Sequence, residues 1–164
     1  MNPSANRQDR PNTVPWPPMI FAGAVAAAVV LGYVYPLGGA SLSGTAVRII
    51  GALLLFAGIG LDVAAMRELR RHRATILPHR AATALVTSGP FALSRNPIYL
   101  GNTLVLTGAA FLFGSLWLLL AAAAAVLAVT VVAIRREEAH LSAAFGDAWS
   151  AYTRRTPRWI RLRF

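Results

Sequence analysis

The residues of this chain that can do chemistry fall in two places. One is the polar stretch LVTSGPFALSRNPIYLG at residues 85–101, and the other is the pair Glu137 and Glu138, reached after one hydrophobic hairpin. Arg95, Asn96 and Tyr99 supply donors and acceptors, and a glutamate can hold a hydroxyl or a cation, so a small charged ligand suits the set. Adjacent helical residues point about 100° apart, so one of the two glutamates faces such a ligand. Ser88-Gly89-Pro90 and Asn96-Pro97 are turn signals, and Pro97 suits the first position of a helix with Asn96 as its cap. The free N–H groups at that helix start favour a ligand carboxylate or another electron-rich group. With no cysteine, disulfides, thiolate nucleophiles and thiolate metal sites are excluded. His72, His79 and His140 lie in arginine-rich or solvent-facing contexts without metal-ligand spacing, so no metal is expected.

The elements that must position these groups are membrane helices. The 164 residues are 56% hydrophobic and 13% charged, with a mean hydropathy of +0.54, whereas an ordinary soluble domain is about 25% charged. Four apolar segments stand out, at residues 19–35, 47–66, 98–113 and 115–134. A spanning helix needs about 20 residues, so the second and fourth suffice alone and the first and third draw on flanking residues. The fold class expected is therefore all-α, an integral membrane protein with four transmembrane helices.

All 16 basic residues are arginine, against 6 acids, for a net charge of +10. Six of the arginines fall in residues 67–97 and seven from residue 135 onward, while the connection at residues 36–46 has none. The positive-inside rule then makes both basic segments, and the N-terminus with Arg7 and Arg10, cytoplasmic. Charge so placed meets the anionic leaflet, at about 1 kcal/mol per arginine near the surface, and no nucleic-acid motif accompanies it. The partners expected are the lipid bilayer and no nucleic acid.

Residues 1–17, polar with four prolines, are expected to be a flexible cytoplasmic leader. A signal peptide fits less well, because residues 20–35 lead to Tyr-Pro and not to a small-residue cleavage site. The chain then divides into two membrane helices (18–66), a basic cytoplasmic loop carrying the motif (67–97), a membrane hairpin (98–134) and a helical tail (135–164). In the tail, Leu141, Ala144, Phe145, Ala148, Trp149 and Tyr152 recur at helical spacing, with a break near Gly146. This amphipathic segment can fold back to close the site. Trp149, Tyr152 and Trp159 also fit a plain interfacial belt, as does Tyr99, and Arg95 fits a headgroup anchor. Glu137 and Glu138, beside Arg135 and Arg136, also fit a solvated charge cluster. Asp62, an acid inside a span, sits close enough in sequence to Arg67 to read as a paired interfacial acid.

The loop motif, the hairpin and the sequence EEAHLSAAFGDAWSAYTRRTPRWI together resemble the isoprenylcysteine carboxyl methyltransferase and phospholipid methyltransferase family. Its pattern is Leu-Val, Gly, an aromatic, Arg-His-Pro-x-Tyr-x-Gly, a hairpin, Glu-Glu, and Phe-Gly before a Tyr. The resemblance covers residues 75–159, about half the chain. It implies an S-adenosyl-L-methionine-dependent methyltransferase with a lipophilic or small acceptor, a carboxylate, thiol or amine, reached at the cytoplasmic membrane face. It also implies a bacterial member, and so an inner-membrane location, with both termini cytoplasmic by the placement of charge above. The cofactor residues it implies are Thr83, Leu85, Val86, Gly89, Phe91, Arg95, Asn96, Pro97, Tyr99, Glu137 and Glu138, with Glu137 foremost, and no catalytic base is identified.

The chain departs from the family in three places. Asn96 replaces the motif histidine, Thr83 replaces a histidine before Leu-Val, and Ala133 stands where the family has a substrate-contacting arginine, leaving Arg135 or Arg136 as substitutes. Asparagine cannot carry a proton near neutral pH, so a titrating role at residue 96 is excluded. Two other classes share these features: a non-catalytic membrane protein that keeps the fold, and a nicotinamide-dependent enzyme like the sterol reductases.

Overall fold

Proline opens the first membrane helix, where a missing N–H has no acceptor to lose. In the computed structural model, which describes residues 16–37, 42, 44–74 and 83–160, helix α1 runs Trp16–Val34 with Pro17 and Pro18 in its first turn. Trp16 and Pro17 thus belong to the helix and not to the leader, and residues 1–15 lie outside the described residues. Helix α2 runs Thr45–Arg71. Its 27 residues span about 40 Å at about 1.5 Å each, more than a hydrocarbon core of about 30 Å, so its last turns carry Arg67, Arg70 and Arg71 beyond the apolar layer.

Helix α3 (Pro97–Phe113) and helix α4 (Leu116–Val129) form the hairpin. Gly114, at φ 65°, takes the left-handed conformation that ends α3, and the Ser115 hydroxyl caps α4 by accepting from the Leu118 N–H at 3.3 Å. Helix α4 does not stop at the end of its apolar run. It passes through a π-helical segment, Thr130–Ile134, into helix α5, Arg135–Arg155, whose course breaks at Gly146 (φ 47°, ψ −116°) as the sequence predicts. Among the described residues three helices are long and apolar enough to cross a membrane, and α3 is a shorter apolar helix of 17 residues. Among the described residues there is no strand. The protein is an all-α integral membrane protein.

Helix α2 packs along α3, α3 against α4, and α4 against α1. The tightest crossing is glycine on glycine at two levels. A Cβ placed on Gly58 would lie 2.6 Å from the Gly101 carbonyl, and one on Gly108 would lie 2.6 Å from the Gly51 carbonyl. Backbone meets backbone there, the packing that small residues permit in a bilayer. The run of alanines 121–125 also permits close packing, and Ala122 and Ala125 are buried in a core with Phe21, Tyr99, Leu106, Val129, Ala133 and Ile134. The glycine crossing had no comparable signal, because its two halves are separate in sequence.

Candidate functional site

The motif loop is built from both flanking sides. Gly89 takes φ 57°, a conformation free to glycine, and starts a 3-10 turn, Gly89–Ala92. Glu68 in the last turns of α2 accepts a hydrogen bond from the Ser88 hydroxyl, and its side chain packs beneath Gly89. Upstream, the Thr83 hydroxyl donates to the Arg73 carbonyl at 3.2 Å, Val86 is buried and Leu85 half-buried.

The tail closes over this loop from the other side. The Arg95 N–H donates to the Pro157 carbonyl (2.9 Å), and the Arg158 carbonyl accepts from both the Ser94 hydroxyl (3.1 Å) and the Asn96 amide (2.9 Å). The Tyr152 hydroxyl donates to the Phe91 carbonyl at 2.6 Å, and the Thr156 hydroxyl to that of Ala92. Burial pushes the Tyr152 phenol up, so it stays a donor. Trp149 and Tyr152 are buried, stack edge to face 5.7 Å apart, and are not an interfacial belt. Trp159 is half-buried against the helix core.

The two glutamates part company, as adjacent helical residues must. Glu138 is held by arginines: Arg158 grips it in a fork of 2.9 and 2.6 Å, and Arg95 lies 3.1 Å away while stacking over the Trp149 ring at 5.5 Å. Arg95 is therefore tied into the protein and not an anchor to headgroups. Glu137 turns the other way, where its Oε2 accepts from the Tyr99 hydroxyl at 3.1 Å. No cation pairs with Glu137 among the described residues. Desolvation pushes its carboxyl above the usual range, opposed by the Tyr99 hydrogen bond, and the neighbouring Glu138 charge adds to the rise. A half-buried carboxylate with a phenol but no counter-charge suits a cationic ligand. Tyr99 itself is buried in the helix core, so it is no surface aromatic.

Four expectations are corrected. Asn96 stands at the cap position of α3 but makes no side-chain cap; its Nδ2 instead donates to the Arg158 carbonyl, while its own backbone N–H is met by Ser94 Oγ at 3.1 Å. Asp62 is not paired with Arg67. Five positions along a helix turn the side chain to another face, and Asp62 lies instead against Gly101, its Oδ1 buried without a partner. His140 is not simply solvent-facing, since its Nε2 is buried and also without a partner. Glu137 and Glu138 are not a solvated cluster, for the partners just described. Arg135 and Arg136 are exposed, and Ala133 is fully buried in the helix core. Pro97, buried, starts α3 as predicted. Glu68, Ser94 and Arg158 escaped the sequence reading. Only Glu68, an acid near the end of a span, carried a signal that could have singled it out.

A membrane bundle whose loop motif and tail glutamates converge at one end defines a class that comparison makes definite. The model of the phospholipid methyltransferase family matches residues 46–148, and the chain belongs to this family of membrane methyltransferases. It is also 34% identical over 112 residues to the cobalt-zinc-cadmium resistance protein CzcN of Cupriavidus metallidurans, a match over 68% of this chain and 50% of that protein. The chain thus spans about half the length of that relative. No solved structure matches.

Proposed function

We propose that the chain transfers a methyl group from S-adenosyl-L-methionine to a lipophilic or small acceptor at the cytoplasmic face of the membrane. The observation that carries this is the Tyr99–Glu137 hydrogen bond, which joins the family motif to the family glutamate at the inner end of the bundle. The donor set fits the cofactor, because an unpaired carboxylate beside a phenol suits its sulfonium or ammonium charge. When bound, the cofactor supplies a methyl group on a good sulfur leaving group. Glu137 and Tyr99 would bind and orient it, with the loop bearing Leu85, Val86, Gly89 and Phe91 against the rest. Arg95, Asn96 and Glu138 hold the tail over the loop, which excludes water and fixes the alignment that an in-line displacement requires. The acceptor would arrive from the bilayer, in a bacterial inner membrane with both termini cytoplasmic, and neither a metal nor nucleic acid takes part.

The test is a thermal shift in detergent with S-adenosylhomocysteine and, separately, with NADPH. Stabilisation by the first alone is expected, abolished by Glu137→Ala and weakened by Tyr99→Phe. A response to NADPH alone would favour a reductase, and no response to either would favour a non-catalytic role.

A further inference from the structure

His140 lies three residues after Glu137 on α5, a spacing that puts the two on neighbouring positions of one helix face. Its Nε2 is buried and has no hydrogen-bond partner, a costly state for a nitrogen that accepts or donates readily. The two glutamates and the arginines facing them are already engaged, Glu137 with Tyr99 and Glu138 with both Arg95 and Arg158, while Arg135 and Arg136 point out to the surface. Arg95 and Arg158 are therefore not free to neutralise a carboxylate acceptor, whereas an unpartnered imidazole nitrogen is free to take a proton.

We propose that His140 is the general base, and that the acceptor carries its own proton on the nucleophilic atom. This rests on the cofactor reading above. In the step, the acceptor's sulfur, nitrogen or oxygen forms the bond to the methyl carbon while the donor's sulfur–methyl bond breaks. The electron pair stays on that sulfur, which becomes a neutral thioether, and the acceptor's proton passes to Nε2 of His140 and then to water. A carboxylate acceptor needs no such group.

The protein in detergent, with labelled methyl donor in mildly alkaline buffer, is offered dodecanethiol, dodecylamine, dodecanoate and nitrothiophenol, the last already ionised. Transfer to the thiol or the amine is expected, and His140→Gln should slow it about 100-fold or more. Nitrothiophenolate should be methylated by the variant within about twofold of wild type, since it has no proton to lose. The S-adenosylhomocysteine thermal shift should be unchanged by the variant. In the dead-end complex with S-adenosylhomocysteine, where no turnover occurs, dodecanethiol should move the Nε2 resonance of isotope-labelled His140.

Transfer to dodecanoate alone, an equal effect of His140→Gln on ionised and un-ionised thiols, a silent resonance, or no transfer by a protein that binds S-adenosylhomocysteine would each overturn the proposal. Failure to bind S-adenosylhomocysteine at all would sink the cofactor reading, and this one with it.

Discussion

Glu138→Gln tests whether the tail is fastened to the motif loop by charge. Glu138 and Arg95 have side chains only 16% and 14% exposed, whereas Arg158 is 37% exposed. A charge-assisted hydrogen bond contributes about 1.5–3 kcal/mol when shielded, and an exposed pair below about 1 kcal/mol. The Arg95 contact should therefore dominate. Glutamine keeps one acceptor oxygen, so the net loss is about 2 kcal/mol, with Arg95 left partly uncompensated over Trp149. For a chain of this size that lowers Tm by about 4–8 °C. Thermal unfolding in one detergent, compared across Glu138→Gln, Arg158→Gln and the double variant, reads it directly. Because Arg158 and Glu138 act as one unit, the double variant should lose less than the sum of the two single losses. A Tm unchanged within about 1 °C, or strict additivity, would show that the fork and the Arg95 contact do not hold the tail.

Gly58→Ala should destabilise by about 1–3 kcal/mol, because the new methyl meets the Gly101 carbonyl. Gly60→Ala, with nothing within 4 Å of its added carbon, should be neutral or stabilising in the same melts. Binding of S-adenosylhomocysteine, which carries an ammonium, should tighten as pH rises. Burial holds the Glu137 carboxyl above its usual range, so at low pH the ligand must displace a proton, and the gain ends once pH passes the raised value. The free protein behaves oppositely, since its folded state binds that proton more tightly than the unfolded chain, and Glu137's contribution falls as pH rises through the same window. Titration by calorimetry at several pH values checks the first sign; a pH-independent affinity would remove Glu137 from the ligand. Deleting Val131, an exposed residue of the π segment, should keep the S-adenosylhomocysteine thermal shift, whereas its loss in a folded variant would refute the role of that segment argued below.

What could be read from residues was local. Pro97, Gly114 and Gly146 announced where helices start, turn and break, and the apolar runs announced the spans, because those choices are made by neighbours in sequence. The clasp between Ser94, Asn96 and the Arg158 carbonyl was invisible, since a carbonyl acceptor is the same in every residue. Asn96 was misjudged as a cap because cap preference describes an isolated helix end, and here a tail segment competes for the same amide. Asp62 was paired with Arg67 by proximity in sequence, which on a helix does not mean proximity in space. The choice between Glu137 and Glu138 came from resemblance, and the helix pitch alone could not have made it.

That choice turns on the π segment, which no pattern in TVVAI betrays. A π turn absorbs one extra residue, so each residue beyond it sits where its predecessor would sit in an unbroken α-helix, a rotation of about 100°. Had α4 run on as a regular helix through Thr130–Ile134, Arg136 would face Tyr99, and Glu137 would occupy the direction now taken by Glu138. A guanidinium would then stand where a cationic ligand is to bind, and Arg95 and Arg158 would meet Glu137 in place of Glu138. At the entrance to this segment the Thr130 hydroxyl donates to the Val126 carbonyl at 2.6 Å, beside the Thr130 N–H that the same carbonyl accepts, the back-bonding that bends helices. Removing Val131 takes away the extra residue and not the rotation it produced, which is why Glu137 should still meet Tyr99. The register of one helix, set in the segment Thr130–Ile134 just before the glutamates, thus decides which charge the site presents.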